Sequence, residues 1–362
     1  MKKWMTALIA VLALVAAACG SDGSTTDTAS GDTGGSADSG DDGEAMADSD
    51  LEVLNVAYFA EWPTPNQIGQ ADGSFAEAVG VDTINWVPFA SGGEMSEAMI
   101  AGDIDISYSQ GLTPFAGAIN NGAPLSLVGI AVSYSDADNC IVNDALGVTR
   151  DNASETLAGA TVMTPFGNVT HYKMLEMMNF LDVDLGGLDI VQAESGATTA
   201  AAFEVGDIDV GCAFGGSIEN MIANNGTPLF TGQEQQDDVG IFTYDIVSIP
   251  TEFGENHRSV VVDFLRATEE FNDMWRADPA GNNPTIAAAA GMEDVGNFLA
   301  GEGWFVFPSV EEQLGPDWLD GNVGAAMQGQ VETLAELGGG DPATGDFAGS
   351  VDASFLQEVA DG

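Results

Sequence analysis

The chain carries one passage twice. "GDID" occupies residues 102–105 and again 206–209, and "NNGAPL" from Asn120 is echoed by "NNGTPL" from Asn224. Aligned without gaps at an offset of 104 residues, segments 91–125 and 195–229 agree at 13 of 35 positions. Two separate blocks in one register mark a duplicated unit, not a chance likeness between helices and turns. Each copy reads as helix, GDID turn, strand, Gly-containing loop, helix and NNG-x-P turn. A repeated unit of this kind needs two equivalent places in a fold, so the chain is expected to build two similar α/β lobes. Asp103 and Asp207 serve turn geometry in this reading.

The rest of the body follows the same alternation. "EVLNVAYF" is a strand running into the loop "AEWPTPN", residues 67–80 suit a helix closed by Gly80, and "INWVPF" is a strand. "GGEMSEAMIAGD" reads as a helix capped at Gly102, "IDISYS" as a strand, 113–121 as a helix and "LSLVGIAVSY" as a strand. Strand–helix alternation predicts an α/β fold with a largely parallel sheet. In such folds a ligand sits at the carboxyl ends of strands and the starts of helices, here in a crevice between lobes.

Charge narrows the partners. Seven Lys and Arg stand against 57 Asp and Glu, a formal net charge of −50. Nucleic acid and anionic lipid headgroups would be repelled, so neither is expected as a partner. At the start, "MKKWMTALIAVLALVAAAC" sets two lysines before an apolar run too short to span a bilayer. Residues 1–18 read as a signal peptide, and "VAAAC" resembles a lipobox that makes Cys19 a lipidated N-terminus. Residues 19–50, dominated by Ser, Gly, Thr and Asp, read as a disordered acidic tether. The protein is therefore expected outside the cytoplasm, held at the outer membrane face by its lipid alone. Export leaves Cys140 and Cys212 either disulfide-bonded or as two buried thiols.

A family resemblance sits on several segments. "TPFGNVTHYKMLEMM" (164–178), "FEVGDIDVGCAFGG" (203–216), "TYDIVSIPTEF" (243–253) and "ASFLQ" (353–357) resemble taurine-type solute-binding proteins of ABC importers. These lie within the wider sulfonate, nitrate and thiamine-precursor group, and the likeness runs over nearly all of 51–362. It implies a type II periplasmic-binding-protein fold, two α/β lobes joined by a hinge crossed twice. Lobe 1 would combine 51–136 with 240–362, and lobe 2 would span 137–239. It further implies a monomer that delivers its solute to a permease and ATPase. The family's "THY" segment lies at the ligand, which points to Asn168, Thr170 and His171; Asp245 aligns with an acidic residue where a ligand ammonium sits. Phe214 stands where Trp is expected, and Gly216 where Pro is, a departure that bears on ligand identity.

The residues add their own candidates. Glu61 and Trp62 close the first strand, where cleft residues gather in α/β sheets. Ser109 and Gln110 follow "IDISY" and offer neutral hydrogen bonds, and Phe166 offers a wall. Without Lys2 and Lys3 only five basic residues remain, Arg150, Lys173, Arg258, Arg266 and Arg276, and only Lys173 approaches a cleft position. An anionic head would then rest on neutral donors and helix starts, while an ammonium would pair with Asp245 or Glu61. The expected solute is a small zwitterion such as taurine. A thiamine pyrimidine precursor, an aliphatic sulfonate, nitrate, a small amine, or a ligand-sensing role remain as alternatives. His171 and His257 are in no metal spacing, and GxSxG, P-loop, Cys-x-x-Cys and G-x-G-x-x-G patterns are absent, so neither catalysis nor a cofactor is expected.

Overall fold

The computed structural model describes residues 51–59, 62–301 and 304–362. The leader, Cys19, the tether and Glu61 lie outside the described residues. Two five-stranded sheets organise the body. The first has the order β2-β1-β3-β10-β4, built from β1 (Val53–Phe59), β2 (Thr83–Phe89), β3 (Ile106–Gly111), β4 (Leu125–Tyr134) and β10 (Thr243–Pro250). The second has the order β7-β6-β8-β5-β9, built from β5 (Asp138–Asn143), β6 (Thr161–Thr164), β7 (Asp189–Gln192), β8 (Val210–Phe214) and β9 (Gly226–Pro228).

Both sheets are mixed, where the alternation alone suggested parallel ones. β1 pairs parallel with β2 and β3, and β10 runs antiparallel between β3 and β4. The second sheet repeats this plan, with β6 parallel to β7 and β8 and β5 antiparallel between β8 and β9. The cause is the chain path. β5 is laid down just after the chain leaves β4, and β10 just after it leaves β9. Each sheet thus receives its reversed strand from a segment that has crossed over from the other.

The duplicated passage occupies matching places. Helices α1 (Gly92–Ala101) and α4 (Gly196–Glu204) begin the two copies, with α2 (Leu112–Asn120) and α5 (Gly216–Ala223) after their strands. Ser91 and Ser195 cap α1 and α4 alike, each accepting the N–H three residues on. Gly102 and Gly206 both adopt φ near +80°, which glycine alone reaches without cost. The second Asp of each GDID does the bonding: Asp105 Oδ2 accepts the Asn55 N–H, and Asp209 Oδ2 accepts the Thr161 N–H. Each therefore ties its turn to the neighbouring parallel strand. Residues 67–80 form two short helices instead of one, because Gly73 takes φ +80° between them.

Helix α3 (Val169–Phe180) packs on the second sheet, and α6 (Arg258–Ala277) covers the first with an apolar stripe. Helix α7 (Asn322–Leu337) lies against both α2 and α3. Among the described residues no helix is long and apolar enough to cross a membrane. Cys140 in β5 faces Cys212 in β8, and the two are disulfide-bonded. The bond closes a loop of 72 residues inside the second sheet's half. Chain-entropy arguments give such a loop about 4 kcal/mol, or roughly 6 °C for a body of this size. Reduction, or Cys140→Ala with Cys212→Ala, should lower the melting temperature by that amount; an unchanged melt would show the bond adds nothing to stability.

Candidate functional site

Strand ends and helix starts meet between the two sheets around a cavity of about 270 Å³, its open mouth included. Phe59, Trp62, Gly111, Tyr134 and Asp245 line it from the first sheet's side. Asp138, Asn168 and Phe214 line it from the second.

Asp245 is the best-buttressed group. It sits in β10 at 2% exposure, with Oδ1 accepting the Tyr134 hydroxyl at 2.8 Å and Oδ2 accepting the Ser109 hydroxyl at 3.0 Å. Ser109 in turn accepts the Trp62 indole N–H at 3.1 Å. Burial pushes the Asp245 carboxyl up to about 8, against the pull of the Tyr134, Ser109 and Trp62 hydrogen bonds. Ser109 reaches this position through local backbone geometry. Val247 pairs with Tyr108 and Ile246 with Gln110, which leaves Ser109 as the extra residue of a bulge at φ +64°. A bulge re-aims its side chain, here toward Asp245.

Asp138 opens β5 and faces the same cavity from the other sheet. Oδ2 accepts the Thr170 hydroxyl at 2.8 Å, while Oδ1 is buried with no hydrogen-bond partner among the described residues. Burial raises its carboxyl to about 6, and the nearby Lys173 charge and the Thr170 bond pull it back. A buried, unpartnered carboxylate oxygen at a cavity wall points to a donor that arrives with a ligand. The aromatic wall is continuous: Trp62 meets Tyr134 edge-on at 5.0 Å and Phe214 at 6.2 Å, and Phe59 lies 6.1 Å from Phe214. Carboxylates set among aromatic faces make a receptor for an ammonium group.

Donors lie beside the carboxylates. Gly111 precedes α2, and Asn168 caps α3 with its side-chain oxygen on the Val169 N–H, which leaves its amide NH₂ to donate. Both helix starts carry free N–H groups and the positive dipole end.

The structure brings Trp62, Asn168, Phe214 and Asp245 together at the cavity, with Ser109 bonded to Asp245 and Trp62, and Thr170 bonded to the cavity residue Asp138. Gln110 is turned away. Its amide donates to Gly92 O and Ser96 Oγ, both at 2.6 Å, and its oxygen accepts the Ser248 hydroxyl, so it fastens α1 to the sheet. His171 and Phe166 do not line the cavity either. Their rings stack at 4.8 Å, Phe166 is 46% exposed, and His171 Nδ1 accepts the Gly167 N–H. Burial lowers the His171 imidazole to about 4, so it is neutral at pH 7. Tyr134 and Asp138 were missed by reading residues alone. They flank the crossing from β4 to β5, so the strand-end rule that flagged Trp62 reaches them once the hinge is placed in "SYSDADN".

No family model matches the chain. It is 26% identical over 302 residues to the taurine-binding periplasmic protein of Escherichia coli K12, a match covering 81% of this chain and 89% of that one. The alkanesulfonate-binding protein SsuA of Xanthomonas axonopodis, bound to MOPS, superposes with a TM-score of 0.67 at 17% identity, over 84% of this chain and 99% of that one. The periplasmic nitrate-binding protein NrtA of Synechocystis superposes at 0.65 with 13% identity, over 86% and 89%. The chain has the periplasmic-binding-protein fold, and its likeness to the taurine, sulfonate and nitrate group runs over four-fifths of its length.

The bulge at Ser109 generates a stability test. Ser109→Ala keeps the left-handed backbone and removes both hydrogen bonds, and should cost about 1–3 kcal/mol in urea unfolding. Ser109→Gly loses the same bonds but relaxes the backbone, and should cost about 1 kcal/mol less. Equal losses would show that the positive φ carries no strain.

Proposed function

We propose that this chain, a solute-binding protein of the taurine, sulfonate and nitrate group of ABC importers, captures a small ammonium-bearing solute and hands it to a permease. The observation that carries the reading is the pair of buried carboxylates, Asp245 and Asp138, one from each sheet, facing one aromatic-walled cavity with no basic side chain among its lining residues. The ammonium docks between them, against Trp62 and Tyr134. In a taurine-like zwitterion the sulfonate then lies toward Asn168 and the starts of α2 and α3, held by neutral donors and helix dipoles.

The mechanism is closure, not chemistry. Residues 51–136 with 240–362 act as one lobe and 137–239 as the other, hinged where the chain passes between sheets. A ligand that touches both carboxylates favours the closed state by its greater affinity for it. The closed form presents the surface that the permease reads. Export by the signal peptide and anchoring through Cys19 complete the reading.

A second reading is a simple alkylammonium without an acidic end. It is favoured by Asp138, since a second carboxylate opposes a sulfonate placed nearby. Titration calorimetry separates the two. Taurine should bind while ethanesulfonate and nitrate do not; binding of ethanolamine or choline but not taurine would select the second reading. Silence toward every amine would overturn both. Asp245→Ala should weaken binding of whichever amine is taken by about 2–5 kcal/mol.

Protons report the same event. Asp245 holds its proton up to about pH 8 in the free protein, whereas an adjacent ammonium favours the carboxylate. Binding at pH 7 should therefore release about one proton, read by calorimetry in buffers of different ionisation enthalpy. Affinity should rise with pH up to about 8. The free protein behaves oppositely. A carboxyl raised by folding binds more protons native than unfolded, so its contribution to stability falls as pH climbs from about 4 to 8. Asp245→Asn should flatten that fall in thermal melts; an identical slope would remove Asp245 as its source.

A further inference from the structure

One buried charge is left over by the ligand cavity. Lys173, the single lysine in residues 51–362, sits in the second turn of α3 with no exposed surface. Its ammonium donates to the main-chain oxygen of Ser135 at 2.7 Å and to that of Asp138. Both oxygens belong to the stretch by which the chain first passes from one sheet to the other. A desolvated charge needs partners of opposite sign, and main-chain oxygens alone supply only dipoles. Asp138 and Asp136 on the crossing provide the charge. Tyr134 of β4 places its ring 6.0 Å away, Asp245 of β10 faces Asp138, and Glu234 faces Asp136. His171 on the same helix is neutral and adds nothing.

Geometry ties this lysine to the cavity. Thr170, one turn earlier on α3, holds Asp138 Oδ2, so one helix grips Asp138 by its side chain and its main chain. Asp138 Oδ1 stays unpartnered at the cavity wall. On the far side of the crossing, Asp136 Oδ1 accepts the Gly232 N–H at 2.5 Å, from the segment that leads back toward the first sheet. The crossing is thus fastened from two directions, and Lys173 supplies the only positive charge among these contacts.

We propose that Lys173 is a positioning residue for solute capture: acting through Asp138, its ammonium fixes the first crossing between the sheets and keeps that carboxylate charged where the solute's ammonium docks. The proposal rests on the cavity being the solute site. Without the lysine charge, Asp138 takes up a proton near neutral pH and presents a neutral carboxyl to an incoming cation. Burial lowers the Lys173 ammonium to about 8, against the pull of Asp138 and Asp136, so the support is present below that pH and fades above it.

Two measurements test this. The first needs no ligand. In the full chain carrying Lys2→Arg and Lys3→Arg, selective 13Cε-lysine labelling leaves one resonance, Lys173. Its titration should centre near 8 and move lower when Asp138→Asn removes its partner. A midpoint at the ordinary ~10.4, or one indifferent to Asp138→Asn, overturns the proposal. The second follows taurine affinity by calorimetry between pH 6 and 9. Lys173→Gln, which still donates to a carbonyl but lacks the charge, should bind taurine roughly tenfold more weakly than the parent at pH 6.5. That deficit should close above about pH 8, where the parent lysine is neutral too. Lys173→Arg should recover most of the affinity. A loss equal at every pH would reduce Lys173 to a structural prop and overturn the proposal. If the parent protein ignores taurine, the solute reading falls, and the lysine titration still decides the Lys173–Asp138 link. If Lys173→Gln does not fold, that titration decides alone.

Discussion

Two carboxylates from different sheets share one desolvated cavity, and the rest of the molecule makes sense around that fact. A carboxylate moved from water into an apolar wall is destabilised unless donors or a counter-charge replace its hydration. Asp245 has two hydroxyl donors and still rises to about 8; Asp138 has Thr170 and the nearby Lys173 and still rises to about 6. The protein alone leaves both incompletely compensated. A cation bridging them relieves each, and because they belong to different sheets, that relief is felt across the cleft. On the proposed reading, ligand recognition and closure are one electrostatic event.

The duplicated passage explains how such a cleft is made. Each copy sends a helix, a GDID turn, a strand and a second helix to the same place in its own sheet. Strand β3 ends at Gly111 and β8 at Phe214, and both of these residues line the cavity. The two copies are not equal in chemistry. The first delivers Ser109 on a left-handed bulge behind Asp245, the second delivers an aromatic ring at Phe214. Exchange of strands between the sheets supplies what neither copy contains. β10 carries Asp245 back into the first sheet, and β5 begins with Asp138. The polar working groups thus come from the crossing segments, while the repeat supplies the frame.

That division also sets what the sequence discloses. The repeat, the strand–helix alternation and the cleft between lobes follow from periodicity and turn residues, which are local. Asp245 stands out because an acid between Tyr244 and Ile246 in an apolar strand has no surface to escape to. Trp62 and Phe214 follow from their place at strand ends. Asp138 carries no such mark. It sits among 57 acidic residues in a segment that reads as a loop, and its burial is decided by α3 folding over it. Ser109 and Gln110 look alike as neutral donors after a strand. One bulge sends them opposite ways, Ser109 to the carboxylate and Gln110 to α1, and nothing in "SYSQG" reports it. His171 misleads for a related reason. A helix start near the ligand does not fix which face a residue takes, and its ring stacks on Phe166 away from the cavity.

The exterior and the cavity select in series. A surface with a formal charge of −50 raises the local concentration of cations and holds back simple anions such as nitrate before any contact is made. A zwitterion is neutral overall and feels little of this field at a distance, so its capture depends on the cleft interior. There Asp245 and Asp138 share the cavity with Asn168 and two helix starts, so acidic groups and neutral donors lie side by side. On the proposed reading, a ligand with a single positive group is matched by the carboxylates, and one with both signs is matched only when its acidic part also reaches the neutral donors. Specificity within the group, on that same reading, rests on how the neutral donors are placed relative to the two carboxylates.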